Sequence, residues 1–149
     1  MTRSVRFDVI GMPPQPKQRA RRGKSGRWYT PTATQEFEAH VMRTSLLVAA
    51  GQGMRALPCG KPDGARFAFF DGPVEVTLAV FFPDARKRDV DNVGKSVLDG
   101  MQLGRRKGTA LLADDDQVQR LVVSKAIDRD RPRVEVTVRE LGEARSVSD

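Results

Sequence analysis

The chain has 149 residues, about the size of one domain, and its 39% hydrophobic and 30% charged residues are typical of a soluble globular protein. No stretch approaches the ~20 apolar residues of a membrane span, and the N-terminal segment has no apolar core of a secretory signal. One cysteine, Cys59, and one histidine, His40, exclude a disulfide framework and the usual zinc-hydrolase sites. We therefore expect a single cytoplasmic domain over residues 1–149, without membrane contact, whose chemistry depends on carboxylates and basic side chains.

The excess positive charge is confined to the start of the chain. The formal net charge is +7, and residues 1–27 hold eight basic residues against one acidic residue, Asp8. That segment therefore carries the whole excess, and residues 28–149 are balanced. A local excess of this kind favours a polyanion-binding segment, with a solvated basic arm as the alternative.

The first half of the chain is predicted to contain one strand and one helix. Apolar residues alternate over 5–9, which predicts a strand with one buried face. A proline-rich basic loop follows. A helix is predicted over 32–50, with Thr32 or Thr34 as its N-cap. Residues 51–72 are predicted as a long loop that is either a functional flap or contains a further element.

The second half is predicted to contain a strand over 74–82, a helix over 91–101, a basic glycine-containing loop, and strands over 117–127 and 133–139. The element order β-α-β-α-β-β predicts an α/β (α+β) fold: one domain in which a mixed β-sheet packs against two helices. Residues 142–149 are predicted to be a frayed tail.

Two groups of aspartates stand at the ends of predicted elements. Asp89 and Asp91 lie at the start of the second helix, and an aspartate triplet, 114–116, precedes the third strand. Adjacent carboxylates repel one another unless a cation compensates, and Mg²⁺ prefers oxygen ligands together with water and substrate phosphate. The pattern predicts a divalent-cation site formed by Asp89, Asp91 and one member of the triplet.

Each of these features has a purely structural alternative. Asp89 is also a suitable helix N-cap, and the triplet is also typical of a solvated turn. Lys95 lies four residues from both Asp91 and Asp99, so it can form ordinary helical ion pairs. The helical periodicity places these three residues with Asn92 and Ser96 on one polar face, opposite an apolar face that packs on the sheet.

The motifs as a set resemble one family. The string RDVDNVGKSVLDGM (residues 88–101), the pattern DDDQV (114–118) and a lysine at Lys125 are similar to the RusA family of Holliday junction resolvases from bacteria and their prophages. The N-terminal half agrees, with a Pro-rich basic segment, PPQPKQRAR, followed by YTPTATQEFEAHV. The resemblance covers roughly residues 5–138.

The resemblance implies roles for individual residues. Asp89, Asp91 and Asp115 match the catalytic metal-binding carboxylates, and Lys95 matches the essential lysine of the family. Asp114 matches a flanking acidic position, whereas Asp116 falls at a variable one. The residues expected to contact DNA are basic side chains of three segments: Lys17, Arg19, Arg21, Arg22 and Lys24; Arg86, Lys87 and Arg88; and Lys125.

The implied protein is a magnesium-dependent endodeoxyribonuclease with one or two Mg²⁺ ions per site. As a homodimer it binds four-way junction DNA and resolves it by paired symmetric nicks, in recombination and repair. Two rival functions remain. One is a non-catalytic basic protein that binds junctions or single-stranded DNA, although Trp28 and Tyr29 are the only large rings available for a stacking platform besides phenylalanine. The other is a magnesium nuclease for flaps or replication forks.

Overall fold

The computed structural model describes residues 2–60 and 64–142. In these ranges it has two α-helices and nine strands. In chain order they are β1 (Ser4–Val9), β2 (Arg21–Arg22), β3 (Trp28–Tyr29), α1 (Thr32–Gly51), β4 (Leu57–Pro58), β5 (Arg66–Phe70), β6 (Val74–Phe82), α2 (Val90–Met101), β7 (Gly108–Leu112), β8 (Val118–Ile127) and β9 (Arg133–Glu140), with a 3₁₀ turn (Asp115–Gln117) before β8.

The main sheet has four strands in the order β1-β9-β6-β8. Strand β9 pairs antiparallel with both β1 and β6, whereas β6 and β8 are parallel. Every second residue of β6, from Val74 to Phe82, is buried. Successive side chains of a strand point to opposite faces of the sheet, so alternate residues face the core. The mixed sheet packed against two helices confirms the predicted α+β fold, and each of the four main predicted strands is present.

The two helices pack against each other at Gly100. A Cβ at this position would lie 2.8 Å from the Cβ of Val41 and 2.9 Å from the carbonyl oxygen of Glu38, so only glycine permits this approach. Phe37 and Val41 of α1 and Val97 of α2 are fully buried in the shared core. Helix α2 is therefore fixed between α1 and the sheet, which determines where its two ends lie.

The structure shows one sheet that the sequence reading missed. Strands β4, β5 and β7 form a three-stranded sheet, in which β5 and β7 are parallel. Strands β4 and β5 lie within the predicted 51–72 loop, so the alternative that this segment contains a further element is confirmed, and β7 begins inside the basic glycine-containing loop. The inner parts of β5 and β7 are continuous buried runs, residues 68–70 and 110–112, which lack the alternation that identifies a half-exposed strand.

The predicted N-cap of α1 is wrong. Pro31 occupies the cap position, and no side chain caps the helix. Thr34 is buried, and its Oγ1 lies 3.5 Å from Gln18 Oε1 of the preceding loop. Residues 143–149 of the predicted tail lie outside the described residues. No helix in the described ranges is long and apolar enough to cross a membrane.

Candidate functional site

Asp89 caps the N-terminus of α2. Its Oδ1 accepts a hydrogen bond of 3.0 Å from the backbone N–H of Asp91, in the extended conformation typical of an N-cap. The capping role foreseen as an alternative for Asp89 is therefore confirmed. Asp91 and Lys95 are exposed on the following turns, and the predicted ion pairs of Lys95 are absent from the described part of the chain. Both charges therefore face solvent.

The second acidic group forms a short turn before β8. Asp114 Oδ1 accepts from the backbone N–H of Asp116 at 3.2 Å, and Asp114 is the N-cap of the 3₁₀ turn. Asp114, Asp115 and Asp116 are all exposed. The solvated-turn alternative is therefore correct as a description of the local structure.

Gln117 holds this turn against the smaller sheet. Its Oε1 accepts from the backbone N–H groups of Ala113 (2.8 Å) and Asp114 (3.1 Å). Its Nε2 donates to the carbonyl oxygens of Phe70 and Gly72, both at 2.9 Å. These four hydrogen bonds satisfy both acceptor positions and both donors of the side-chain amide. The glutamine of the DDDQV pattern therefore has a structural role, because it fixes the acidic turn relative to the smaller sheet.

Gln102, at the C-terminal end of α2, connects the helix to the acidic turn. Its Nε2 donates to Asp99 Oδ1 at 3.1 Å, and its Oε1 accepts from the backbone N–H of Asp115 at 2.8 Å. The sequence reading did not identify Gln102 as a site residue. The available signal was its position three residues after Asp99, which places both side chains on one helix face.

The carboxylates of the acidic turn influence one another. Hydrogen bonds from the Asp116 amide and from Asp115 lower the pKa of Asp114. The pKa of Asp115 is raised, first by its hydrogen bond to Asp114, then by partial burial and by the negative charges of Asp114 and Asp99. Asp115 therefore retains a proton more readily than Asp114, and a nearby cation would favour its ionised form.

The three predicted metal ligands do not form one cluster. Within residues 2–60 and 64–142, no three Asp, Glu, His or Cys side chains are arranged to hold a metal ion. Asp91 and Asp99 are eight residues apart on α2, about 12 Å along the axis, and Asp115 lies at the Asp99 end. The donors nevertheless have the chemistry that Mg²⁺ prefers, because this ion takes one or two carboxylates and retains several waters.

Lys17 makes contacts that differ from its expected role. Its Nζ lies 2.6 Å from Glu38 and 3.0 Å from Asp99, and its side chain is 24% exposed. Its backbone N–H donates to the carbonyl of Asn92 at 2.8 Å. Burial lowers the pKa of Lys17, but hydrogen bonds to Glu38 and Asp99 and their charges outweigh burial and raise it. We therefore revise its role from phosphate contact to holding the loop on both helices.

This loop also changes the predicted polar face of α2. Ser96, expected among the exposed polar residues, is fully buried, and its Oγ has no hydrogen-bond partner. Asp99 is partly covered, because Lys17 contacts it. Only Asp91, Asn92 and Lys95 remain exposed, so the open polar face lies in the N-terminal half of the helix.

The other basic residues of the loop form a hairpin, which we call the basic hairpin (residues 19–29). Strands β2 and β3 pair antiparallel. In the turn between them, the backbone N–H of Gly23 donates to the carbonyl oxygen of Arg27 at 2.8 Å, and Gly26 adopts a positive φ of +82°. The predicted DNA-binding residues of this hairpin are exposed and form no ion pair with any described residue: Arg19, Arg21, Arg22 and Lys24.

A second basic region lies beside Asp89. Lys125 Nζ donates to the carbonyl of Arg88 at 3.2 Å, and the Arg88 guanidinium lies 4.8 Å from the ring centre of Phe82. Arg88 also bonds Asp84 at 2.6 Å, which lowers the pKa of that carboxyl. Arg86 and Lys87 are exposed. Arg86, Arg88 and Lys125 line a cavity of about 340 Å³, whose remaining walls include Phe82 and Ile127.

Comparison with known proteins gives one family. The family model described as Endodeoxyribonuclease RusA matches residues 61–139, just over half of the chain. The matched region contains β5 to β9, helix α2, both acidic groups and the second basic region. No curated protein matches the sequence.

Proposed function

The chain belongs to the RusA endodeoxyribonuclease family, and on this premise we propose that it is a magnesium-dependent resolvase that cuts four-way DNA junctions by paired symmetric nicks. The observation that carries the proposal is the exposed N-terminal half of α2. There Asp89, Asp91 and Lys95 are exposed, and Asp89 directly follows Arg88, which lines the cavity together with Lys125. Carboxylates near basic side chains provide what phosphodiester hydrolysis requires: ligands for a metal and positive charge for the phosphate.

In our proposal the carboxylates of Asp89 and Asp91 would hold one Mg²⁺ ion at the start of α2, and Asp115, at the other end of that helix, would hold a second one. When bound, the ion supplies acidification of a water molecule and neutralisation of phosphate charge. Asp89 already accepts one backbone N–H bond, which fixes its carboxylate relative to the helix. Asp91 has no such bond in the described structure and is exposed, so it is available as a ligand.

Lys95 has the role of a fixed cation in this proposal. It lies one turn after Asp91 and is exposed and free of ion pairs in the described ranges. A lysine bound to a carboxylate is already neutralised, whereas a free one can stabilise the additional negative charge of the transition state. Its ammonium would either stabilise that charge or orient the attacking water.

DNA binding is assigned to two basic surfaces. The basic hairpin supplies five exposed cations, four of which are the predicted DNA contacts, and the region beside Asp89 supplies Arg86, Lys87, Arg88 and Lys125. Contacts to phosphates position a duplex without reading its sequence, which suits an enzyme that selects branched shape. The proposed functional unit is a homodimer, because two symmetric nicks in a two-fold junction require two sites related by a two-fold axis. The proposed role is in DNA recombination and repair.

One observation favours a second candidate function, a junction-binding protein without catalytic activity. Asp89 and Asp114 both act as caps within the chain, so their presence is explained without a metal. A cap can also be a ligand, since a carboxylate has two oxygens. The two functions therefore differ in whether the phosphodiester bond is broken.

End-labelled DNA distinguishes these functions. The wild-type protein is incubated with a mobile four-way junction, a three-way junction, a flap and a linear duplex, each with Mg²⁺ and with EDTA. We expect nicks of the four-way junction only, in strands of like polarity, only with Mg²⁺. Junction binding without nicks at any Mg²⁺ concentration would support the binding protein, and equal cutting of the flap would support the flap nuclease.

A further inference from the structure

Trp28 is the only tryptophan in the chain, and it leaves 71% of its surface exposed on the basic hairpin. Burying a tryptophan removes about 150–250 Å² from water, so an exposed one forgoes most of that stabilisation. Tyr29, the next residue, is 47% exposed. The core is complete without either ring, since neither belongs to the buried cluster of valines, leucines and phenylalanines. Two exposed rings on one hairpin indicate a partner outside the chain.

The pairing of the hairpin places each ring next to an arginine. Arg22 is opposite Trp28, and Arg21 is opposite Tyr29. Residues directly opposite each other in an antiparallel pair point to the same face. The arginines that stack on rings in the described structure do so on Phe70, Phe81 and Phe82. The face of Trp28 is therefore not used by any arginine among the described residues.

The charge around these rings identifies the class of partner. Residues 10–35 contain six basic residues and no Asp or Glu. Lys17 is paired with Glu38 and Asp99, which leaves five cations around the two rings. Interfaces with other proteins normally mix both signs of charge. Flat rings within a purely cationic segment are instead the combination that binds single-stranded or unstacked nucleic acid.

We propose that Trp28, which shares its face of the hairpin with Arg22, is a stacking site for nucleobases at the branch point of the junction. This inference rests on the proposed function for the identity of the DNA. At a branch point the stack of bases is interrupted, so inserting a ring costs less than it does within a continuous duplex. Arg22, opposite Trp28 in the hairpin, then contacts a phosphate that flanks the stacked base. The site would distinguish branched DNA from linear duplex without reading sequence.

Intrinsic fluorescence tests the inference directly, because all tryptophan emission comes from Trp28. The wild-type protein in EDTA, where the DNA stays intact, is titrated with a four-way junction, a single strand and a linear duplex of the same length. We expect strong quenching at saturation with the junction and the single strand, and weaker quenching with the duplex. Equal quenching by all three DNAs, or none, would overturn the stacking site. A shift in emission with protein concentration alone would instead assign Trp28 to contact with a second copy of the chain and would also overturn it.

Variants separate stacking from phosphate contact. Trp28→Ala should weaken junction affinity by about 5- to 150-fold, the range measured for base–aromatic stacking, without changing the salt slope of binding. Trp28→Phe should lose less affinity, since a ring remains. The matched control is Leu47→Ala on α1, which removes a side chain that is 68% exposed and should leave affinity unchanged.

The outcomes of these binding experiments are independent of cleavage. A protein that never nicks a junction but whose Trp28 is quenched by it would contradict the proposed nuclease only. A protein that nicks the junction, but whose wild-type Trp28 emission is not quenched by it and whose Trp28→Ala variant binds it as tightly as Leu47→Ala, would contradict the stacking site only. Thermal unfolding of Trp28→Ala should match the wild type, because the side chain is exposed.

Discussion

Gly100 of α2 lies against Val41 of α1 so closely that a Cβ on Gly100 would be 2.8 Å from the Cβ of Val41. A second glycine of the same helix, Gly94, faces the sheet, where a Cβ would lie 3.5 Å from Val123 and 3.7 Å from Leu78. The first distance is a clash, and the second two are ordinary van der Waals contacts. The two glycines therefore have different reasons to be present.

Alanine substitutions should shift stability in opposite directions. Gly100→Ala should lower the free energy of unfolding by about 1–3 kcal/mol, because a Cβ and a backbone carbonyl must move to admit the methyl group. Gly94→Ala should raise it by about 0.5–1 kcal/mol, because glycine in a helix interior costs that much relative to alanine. Urea denaturation of both variants measures the difference. Equal effects of the same sign would show that the helix packing described for α2 is incorrect.

Lys17→Met should destabilise the protein. The change leaves Glu38 and Asp99, whose side chains are 20% and 24% exposed, without the cation between them. Hydrogen bonds to charged groups contribute about 1.5–3 kcal/mol each, so we expect a loss of about 2 kcal/mol after partial solvation. Lys24→Met, at an exposed lysine of the same loop, is the matched control and should have no effect.

The pH dependence of stability provides a second readout for Lys17. Its pKa is raised in the folded chain, so its contribution is fully present below the unfolded value and is lost as pH rises through the folded pKa. Wild-type stability should therefore fall at strongly alkaline pH more steeply than that of Lys17→Met. Parallel pH profiles of the two proteins would contradict the ion pairing of Lys17.

Asp115→Asn should abolish cleavage while making the folded protein more stable at neutral pH. Because the folded pKa of Asp115 is raised, stability falls as pH rises from the unfolded pKa to the folded one, and the cost remains at pH 7. Asparagine removes this charge. Asp116→Asn, with no role assigned in the site, is the comparison and should retain most of the activity. Loss of activity in Asp116→Asn equal to that in Asp115→Asn would mean that the wrong member of the triplet has been assigned.

The triple variant Arg19→Ala, Arg21→Ala and Arg22→Ala should bind the junction weakly and with a reduced salt slope. Each phosphate contact releases counterions, so each one lost should lower the slope by about 0.9. Single-turnover cleavage at saturating protein should stay near wild type, because these side chains form no part of the acidic site. An unchanged affinity and slope with a collapsed cleavage rate would instead assign the hairpin to catalysis.

Much of the fold followed from local sequence patterns. Strands β6 and β9 and helix α2 each present one buried face, and alternation or helical periodicity identified them. Strands β5 and β7 were missed because their inner residues are buried on both faces and therefore show no alternation. Strands β2 and β3 have only two residues each and form by pairing with each other across a glycine-containing turn. Two residues are too few to show a hydrophobic period, so the sequence pattern did not predict them.

The site was predicted residue by residue less completely than the fold. The motif strings identified the family, and its match over residues 61–139 confirms that reading. Lys17 was predicted to contact DNA because it lies in a segment rich in positive charge. The sequence does not reveal its ion-pair partners, Glu38 and Asp99, because they are 21 and 82 residues away along the chain. Gln102 was missed for the same reason, since its link between Asp99 and Asp115 exists only once α2 and the acidic turn are in place.

The central claim, that the exposed carboxylates at the start of α2 cut the junction, is tested most directly by Asp91→Asn. Single-turnover cleavage and binding of a four-way junction are measured together for the wild type, for Asp91→Asn and for Asp130→Asn, which removes an exposed carboxylate outside the proposed site. We predict that Asp91→Asn binds the junction at least as tightly as the wild type and produces no nicks, whereas Asp130→Asn cuts normally. Wild-type cleavage by Asp91→Asn would contradict the account.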